Sequence, residues 1–304
     1  MKTKILIILA LCCSFLAAEA GTSYTIPLLQ YEQIGYGSQR LSATSMGIVK
    51  QTQRTNFVAI YTYNDFKKQL SYNYPEYYHA LDCLYDYQVG KRQYLGIFKS
   101  ESPHPVTGGW QTFQAAFAYG SKIVNKSYFT FTLGGGLALG DFGFEYDDGK
   151  NWPLIPVPLI RMSYQRKFLN ASFDFLTGPN LSMVFFPNNK LRLNTDFRFD
   201  QLRDGRDLIF ETALNYRFFS EEDKMGDFAG VSAGVKSDNK TSYPEDDEEL
   251  YEMQYYAVFA AIDITLLKLT GGYQFNGREL YEEEKFEEME DGYFISLQII
   301  YPFQ

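Results

Sequence analysis

The sequence predicts an all-β protein, a transmembrane up-and-down antiparallel β-barrel of about 14 strands, within a range of about 12 to 16. Three observations carry that expectation. Beyond residue 40 apolar side chains recur with period two in segment after segment, the pattern of strands with two different faces. The connections between those segments alternate between tight and long, as in outer-membrane barrels with short periplasmic turns and long outer loops. The 304 residues also include 25 Tyr and 26 Phe against 2 Trp in a chain 45% hydrophobic and 21% charged. That is ample for a packed structure, which excludes a disordered chain. No stretch after residue 20 approaches the roughly 20 consecutive apolar residues of a membrane helix, which excludes a helical membrane protein. A formal net charge of -9 argues against a nucleic-acid partner, because neutralising phosphates takes a surplus of Lys and Arg.

Residues 1–20 stand apart from the rest. Lys2 and Lys4 precede an apolar run from Ile5 to Ala18, and Ala18-Glu19-Ala20 offers a small-x-small cleavage site before Gly21. This is the layout of a secretory signal peptide. A lipid-anchored reading of Cys12 and Cys13 fits less well, because Leu11 stands where a small residue is needed. Cleavage would leave Cys83 as the single cysteine, so no intramolecular disulfide is expected in an oxidising compartment. Residues 21–40 are expected as a first strand or a plug, and residues 41–304 as the barrel.

Along the chain the clearest strand is Lys190 to Phe199. Leu191, Leu193, Thr195, Phe197 and Phe199 fall on one face, and Lys190, Arg192, Asn194, Asp196 and Arg198 on the other. Asp207 to Phe218, Ala80 to Val89 and Trp110 to Tyr119 repeat the pattern. Further segments lie near 43–52, 56–63, 93–99, 127–138, 152–164, 168–177, 181–187, 226–236, 250–263, 266–275 and 292–303. The segment near Thr25 to Gly35 would add a sixteenth. Residues 64–79, 100–109, 139–151, 237–249 and 276–291 read as long polar loops. Chain length favours the count of 14, since sixteen would leave under about 18 residues for each strand and its connection, when a spanning strand takes about 9 to 11.

The faces distinguish a barrel from a soluble sandwich. The less apolar face is rich in Gly, Ala, Asn, Thr and Asp with scattered Arg, which suits a lumen. Tyr and Phe cluster near segment ends, as at Tyr61 and Tyr63, or Tyr85 and Tyr87, where an amphipathic ring sits at a membrane interface.

The last segment places Tyr293, Ile295, Leu297, Ile299, Tyr301 and Phe303 at alternate positions. This ending resembles the C-terminal signal of Gram-negative outer-membrane barrels, matched by Leu297, Ile299, Tyr301 and Phe303. The resemblance implies that the strand closes the barrel and is read by the insertion machinery as an edge to be paired. Pro302 and Gln304 depart from the usual aromatic terminus. A second stretch, Pro156-Val157-Pro158-Leu159-Ile160-Arg161 with Asn170 to Pro179 beyond it, resembles a family of uncharacterised bacterial outer-membrane barrels with a Pro-x-Pro strand. That resemblance implies location and fold only.

No catalytic, cofactor-binding or metal-ligating residues are expected. Outer-membrane phospholipases and lipid A deacylases need a His-x-Ser pair on one strand face, but His79 is followed by Ala80-Leu81 and His104 by Pro105-Val106. His79 and Asp82, three residues apart, point to opposite faces. The acidic runs Glu245 to Glu249 and Glu282 to Asp291 lack the spacing of a calcium loop. The Gly134-Gly135-Gly136 run lacks the Lys-Ser/Thr of a phosphate loop and marks a bent strand or a close approach inside the barrel. The charged candidates are Asp174, Arg192, Asp196, Arg198, Glu211 and Arg217, all expected to face the lumen. They would form either a salt-bridge lattice that props the wall or a constriction that selects solutes by sign. The expected function is a small, porin-like passive diffusion channel. The alternative is a closed barrel acting as a surface adhesin or structural anchor, and an outer-membrane hydrolase ranks last. Expected partners are outer-membrane lipid and lipopolysaccharide, the barrel-insertion machinery and small solutes.

Overall fold

The computed structural model describes residues 24–37, 39–66, 77–103, 112–140, 154–176, 178–199, 208–218, 229–242, 251–264, 266–281 and 285–300. The signal peptide expected at 1–20, His104, the run Glu245–Glu249, and Tyr301 and Phe303 lie outside the described residues. In chain order the strands are β1 (Tyr24–Tyr36), β2 (Gln39–Gln51), β3 (Thr55–Phe66), β4 (Tyr77–Val89), β5 (Arg92–Ser102) and β6 (Phe113–Lys126). There follow β7 (Phe129–Gly140), β8 (Leu154–Arg166), β9 (Leu169–Phe175), β10 (Pro179–Phe185), β11 (Leu191–Phe199) and β12 (Leu208–Arg217). The chain ends with β13 (Ala229–Ser242), β14 (Tyr251–Ile264), β15 (Leu267–Tyr281), β16 (Lys285–Met289) and β17 (Gly292–Ile300).

Each of β1 to β15 pairs antiparallel with the next, and β17 returns to β1 along a ladder from Leu28↔Ile300 to Tyr36↔Gly292. The sheet therefore closes on itself. β16 and β17 both pair with β15, β16 along Gly277–Tyr281 and β17 along Leu267–Gln274, so together they make one stave interrupted at Glu290 and Asp291. The ring has sixteen positions built from 17 strands, which corrects the expectation of about 14. The segment near Thr25 to Gly35 supplies the additional stave as β1. Tight turns at 52–54, 90–91, 127–128 and 167–168 leave the chain long enough for that number. The stretch 276–291 is also corrected from loop to mostly strand, with Arg278 opposite Glu288 and Glu279 opposite Glu287. Charged side chains do not interrupt a backbone ladder, so the hairpin continues past the last apolar positions.

Period two sorts the side chains as the sequence suggests. Phe117, Leu137, Leu214 and Tyr293 are exposed on the outside, while their neighbours in each strand turn inward. Along the closing seam Leu297 lies between Leu269 and Tyr31, and Ile299 between Leu267 and Leu29. Those six side chains make a continuous apolar surface, the kind of outer band that faces lipid in membrane barrels.

The ring is not round. Neighbouring strands lie about 4.7–4.9 Å apart, so β6 and β8 would sit about 9.5 Å apart in a flat wall. Their Cα atoms come within 8 Å, which makes β7 a tight corner. Its inward positions are Gly134, Gly136 and Ala138, facing Gly120, Ala118 and Ala116 of β6. Small residues there let Leu95 of β5 and Leu159 of β8 share one buried cluster. β5 and β13, eight positions apart around the ring, also approach within 8 Å. Opposite walls thus meet and divide the interior. The part bounded by β14, β15, β17 and β1 to β4 is packed with Ile34, Tyr36, Leu41, Phe66, Tyr78, Met253, Tyr255 and Phe294.

One stretch of wall is low. β9 and β10 have seven residues each, joined at 176–178, whereas β8 has 13. β8 pairs with β9 only from Ile160↔Phe175 onward, so among the described residues nothing pairs with Leu154–Leu159 on that side. Pro156 and Pro158 sit in this overhang. Two residues apart, they direct their missing N–H groups to the same side of the strand. On a free edge no ladder bond is lost, and edges are where proline is tolerated in sheets.

Candidate functional site

The interior beside the low wall holds a cavity of about 500 Å³. Its lining includes Ser172 and Asp174 of β9, Asn180 and Ser182 of β10, Asp196 and Arg198 of β11, Glu211 of β12, and Lys236 and Asp238 of β13. The register explains why these residues meet. Ser172 lies opposite Ser182, Ser182 opposite Asp196, Asp196 opposite Glu211, and Glu211 opposite Lys236. A second row runs from Asp174 through Asn180 to Arg198. Because residues two apart share a face, both rows point into the lumen.

Four of the six charged candidates therefore line the cavity: Asp174, Asp196, Arg198 and Glu211. Asp196 and Glu211 are like charges directly opposite each other, an arrangement unfavourable in a dry site but workable in a water-filled one, and both are exposed. Arg192 and Arg217 belong to the same inward faces but sit toward the short-turn end. Arg192 Nε donates to the carbonyl of Asn189 at 3.2 Å, and Arg217 lies opposite Gly230. Neither is among the residues lining the cavity.

Asp174 is held by a partner outside that set. Arg161 of β8 donates from Nε to Asp174 and from Nη1 to Asp86 of β4, the latter at 2.5 Å. Asp86 also accepts two bonds from Gln93 Nε2, at 2.8 and 3.0 Å. β4 and β8 are four positions apart, so the guanidinium spans the interior. In the sequence Arg161 was legible only as part of the Pro-x-Pro stretch. Asp86 lies on the minority face of Ala80 to Val89, and nothing in a linear reading joins the two. Lys236 ends the strand expected at 226–236, whereas Asp238 falls in the stretch 237–249 read as a loop, of which β13 takes up the first six residues.

At the contact between opposite walls, Asp238 accepts from Tyr255 Oη at 3.0 Å and from Lys236 Nζ at 3.4 Å. Lys240 reaches Glu32 of β1 at 3.4 Å. This polar layer separates the cavity from the packed compartment. His79 faces outward. Its Nδ1 is 2.6 Å from Tyr61 Oη, and its ring contacts Tyr61, Tyr63 and Tyr77. Asp82 lies on the opposite face of β4, paired with Ile60. Among the described residues no group of three or more His, Cys, Asp and Glu is placed to hold a metal ion.

The strand pairing and the two faces define a class: a closed antiparallel barrel, apolar outside and charged within. No protein-family model and no curated sequence matches the chain. Solved structures with a similar course include CdiB from Acinetobacter baumannii, with a TM-score of 0.48 and 11% identity over 91% of this chain. The chain spans 60% of the length of that protein. OccAB4 of Acinetobacter baumannii matches with a TM-score of 0.44 and 11% identity, over 94% of this chain and 99% of the other. The outer membrane protein OpdK from Pseudomonas aeruginosa matches at 0.35 and 7% identity, over 93% of this chain and 99% of the other. At these values the likenesses carry nothing further; the barrel is established by the chain's own hydrogen-bonded closure.

Proposed function

We propose that this protein is an outer-membrane channel of Gram-negative type that passes small solutes by diffusion. The observation that carries the reading is the charged cavity of about 500 Å³ inside a closed barrel with an apolar exterior. A barrel that only anchored itself in lipid would have no use for a water-accessible interior lined by Asp174, Asp196, Arg198, Glu211 and Lys236. In this reading residues 1–20 are an export signal, and β1 together with residues 41–304 forms the barrel. Leu297, Ile299, Tyr301 and Phe303 act as the signal read by the insertion machinery, and outer-membrane lipid and lipopolysaccharide surround the wall. Charged residues around a passage bias it by sign, so the lining sets which solutes enter.

Purified protein in planar bilayers tests the reading and should give stable conductance steps. Silence at all voltages would favour a closed barrel that serves as an adhesin or anchor. The observation on that side is the packed compartment, where Ile34, Leu41, Tyr78, Met253 and Tyr255 form a buried apolar cluster. The anchor reading predicts that deleting residues 243–250 abolishes surface binding while insertion persists.

A further inference from the structure

Resting on the channel reading, we infer that Arg161 is a bolt that narrows the passage and sets its charge preference. Among the described residues, two features narrow the interior. The packed compartment blocks one side of the β5 and β13 contact. On the other side, the buried corner around β7 is separated from the cavity by the Asp86–Arg161–Asp174 bridge, which crosses from β4 to β8 and β9. The cavity lies along β9 to β13, and Arg161 borders it through its bond to the lining residue Asp174. The bridge is half-buried: the Arg161 and Asp174 side chains are each 27% exposed and Asp86 is 18% exposed, so water reaches the ion pairs.

The chemistry follows from the count of charges. One guanidinium stands between two carboxylates, and it occupies sites that a permeating ammonium or metal cation would otherwise use. Removing the guanidinium leaves Asp86 and Asp174 facing the passage unneutralised and removes the cross-lumen strut. Both changes act in one direction, toward a wider path with more cation preference. Neutralising Asp86 removes the strut's far anchor and also one negative charge. It therefore widens the path while moving selectivity the opposite way.

Arg161→Gln and Asp86→Asn, each checked for heat-modifiable migration, are compared with the wild type by single-channel conductance and by reversal potential in a salt gradient. Glu32→Gln, which breaks the Lys240 pair by the packed compartment, is the control. The expected result is a conductance about twofold or more above wild type for both bridge variants. Reversal potentials should shift toward cations for Arg161→Gln and away from them for Asp86→Asn, with Glu32→Gln unchanged. Conduction by the bridge variants alone, with a silent wild type, would overturn the channel reading of the wild type and the bolt that rests on it. Wild-type conductance with bridge variants indistinguishable from it, or a Glu32→Gln effect as large as theirs, would overturn the bolt and leave the channel standing. Silence of every protein, wild type and variants alike, would overturn the channel reading and the bolt with it.

Discussion

Within the triple glycine the outcome differs from one residue to the next. A Cβ on Gly134 would lie 2.1 Å from the Tyr119 carbonyl oxygen, and one on Gly136 would lie 2.1 Å from that of Phe117. Both clashes are with backbone, which cannot rotate away. Gly135 points outward, and its added Cβ would meet nothing closer than 3.6 Å. Gly134→Ala and Gly136→Ala should therefore each destabilise the folded barrel by about 1–3 kcal/mol, the usual range for overpacking. Gly135→Ala should shift the urea midpoint in detergent little or not at all. The sequence marked this run as a close approach or a bend, and the structure makes it both: the glycines line a corner. Which of the three matter depends on which face turns inward, and that follows from period two once the strand is placed.

For single elements, β17 and β8 give opposite lessons. On β17, Leu297 is exposed to the outside and Gln298, its neighbour, faces the interior opposite Lys268 and Gln30. Leu297→Arg should cost about 2–4 kcal/mol if its depth is near the bilayer midplane, whereas Gln298→Arg should be tolerated. Folded fraction after refolding into lipid vesicles measures the contrast, and equal losses would mean that the strand has no lipid-facing side. On β8 the relevant residues lack a donor rather than a charge. Replacing Pro156 and Pro158 together by Thr would restore two N–H groups on an edge with no partner among the described residues, and exposed edges recruit other chains. The double variant should retain heat-modifiable migration and gain higher oligomers by light scattering. Unchanged monodispersity would count against the edge role.

For the whole molecule, the closed ladder predicts cooperative resistance to detergent. Opening the ring anywhere exposes two unpaired edges, and backbone groups without partners are costly in an apolar medium. The unheated protein should migrate on a gel as a compact band that shifts on boiling. Substituting Leu29 and Tyr31 of β1 by Asp at the β1–β17 seam should abolish that shift. A persistent compact band would place the closure elsewhere.

The sequence by itself determined which side chains share a face and where most strands lie, because both depend on the two-residue alternation of a pleated strand. It also carried the segment near Thr25 to Gly35 as a candidate stave, and Asp174, Asp196, Arg198 and Glu211 as candidate lumen charges. It could not decide the count of sixteen, because the length available to each strand depends on how short the turns become. Nor could it join Asp86 to Arg161, which are 75 residues apart, or separate Arg192 and Arg217 from the cavity. Those outcomes depend on the cross-section of the closed ring. The tertiary structure alone brings β5 against β13 and bends the wall at β7, because packing across the interior is a property of closure and leaves no period in the chain.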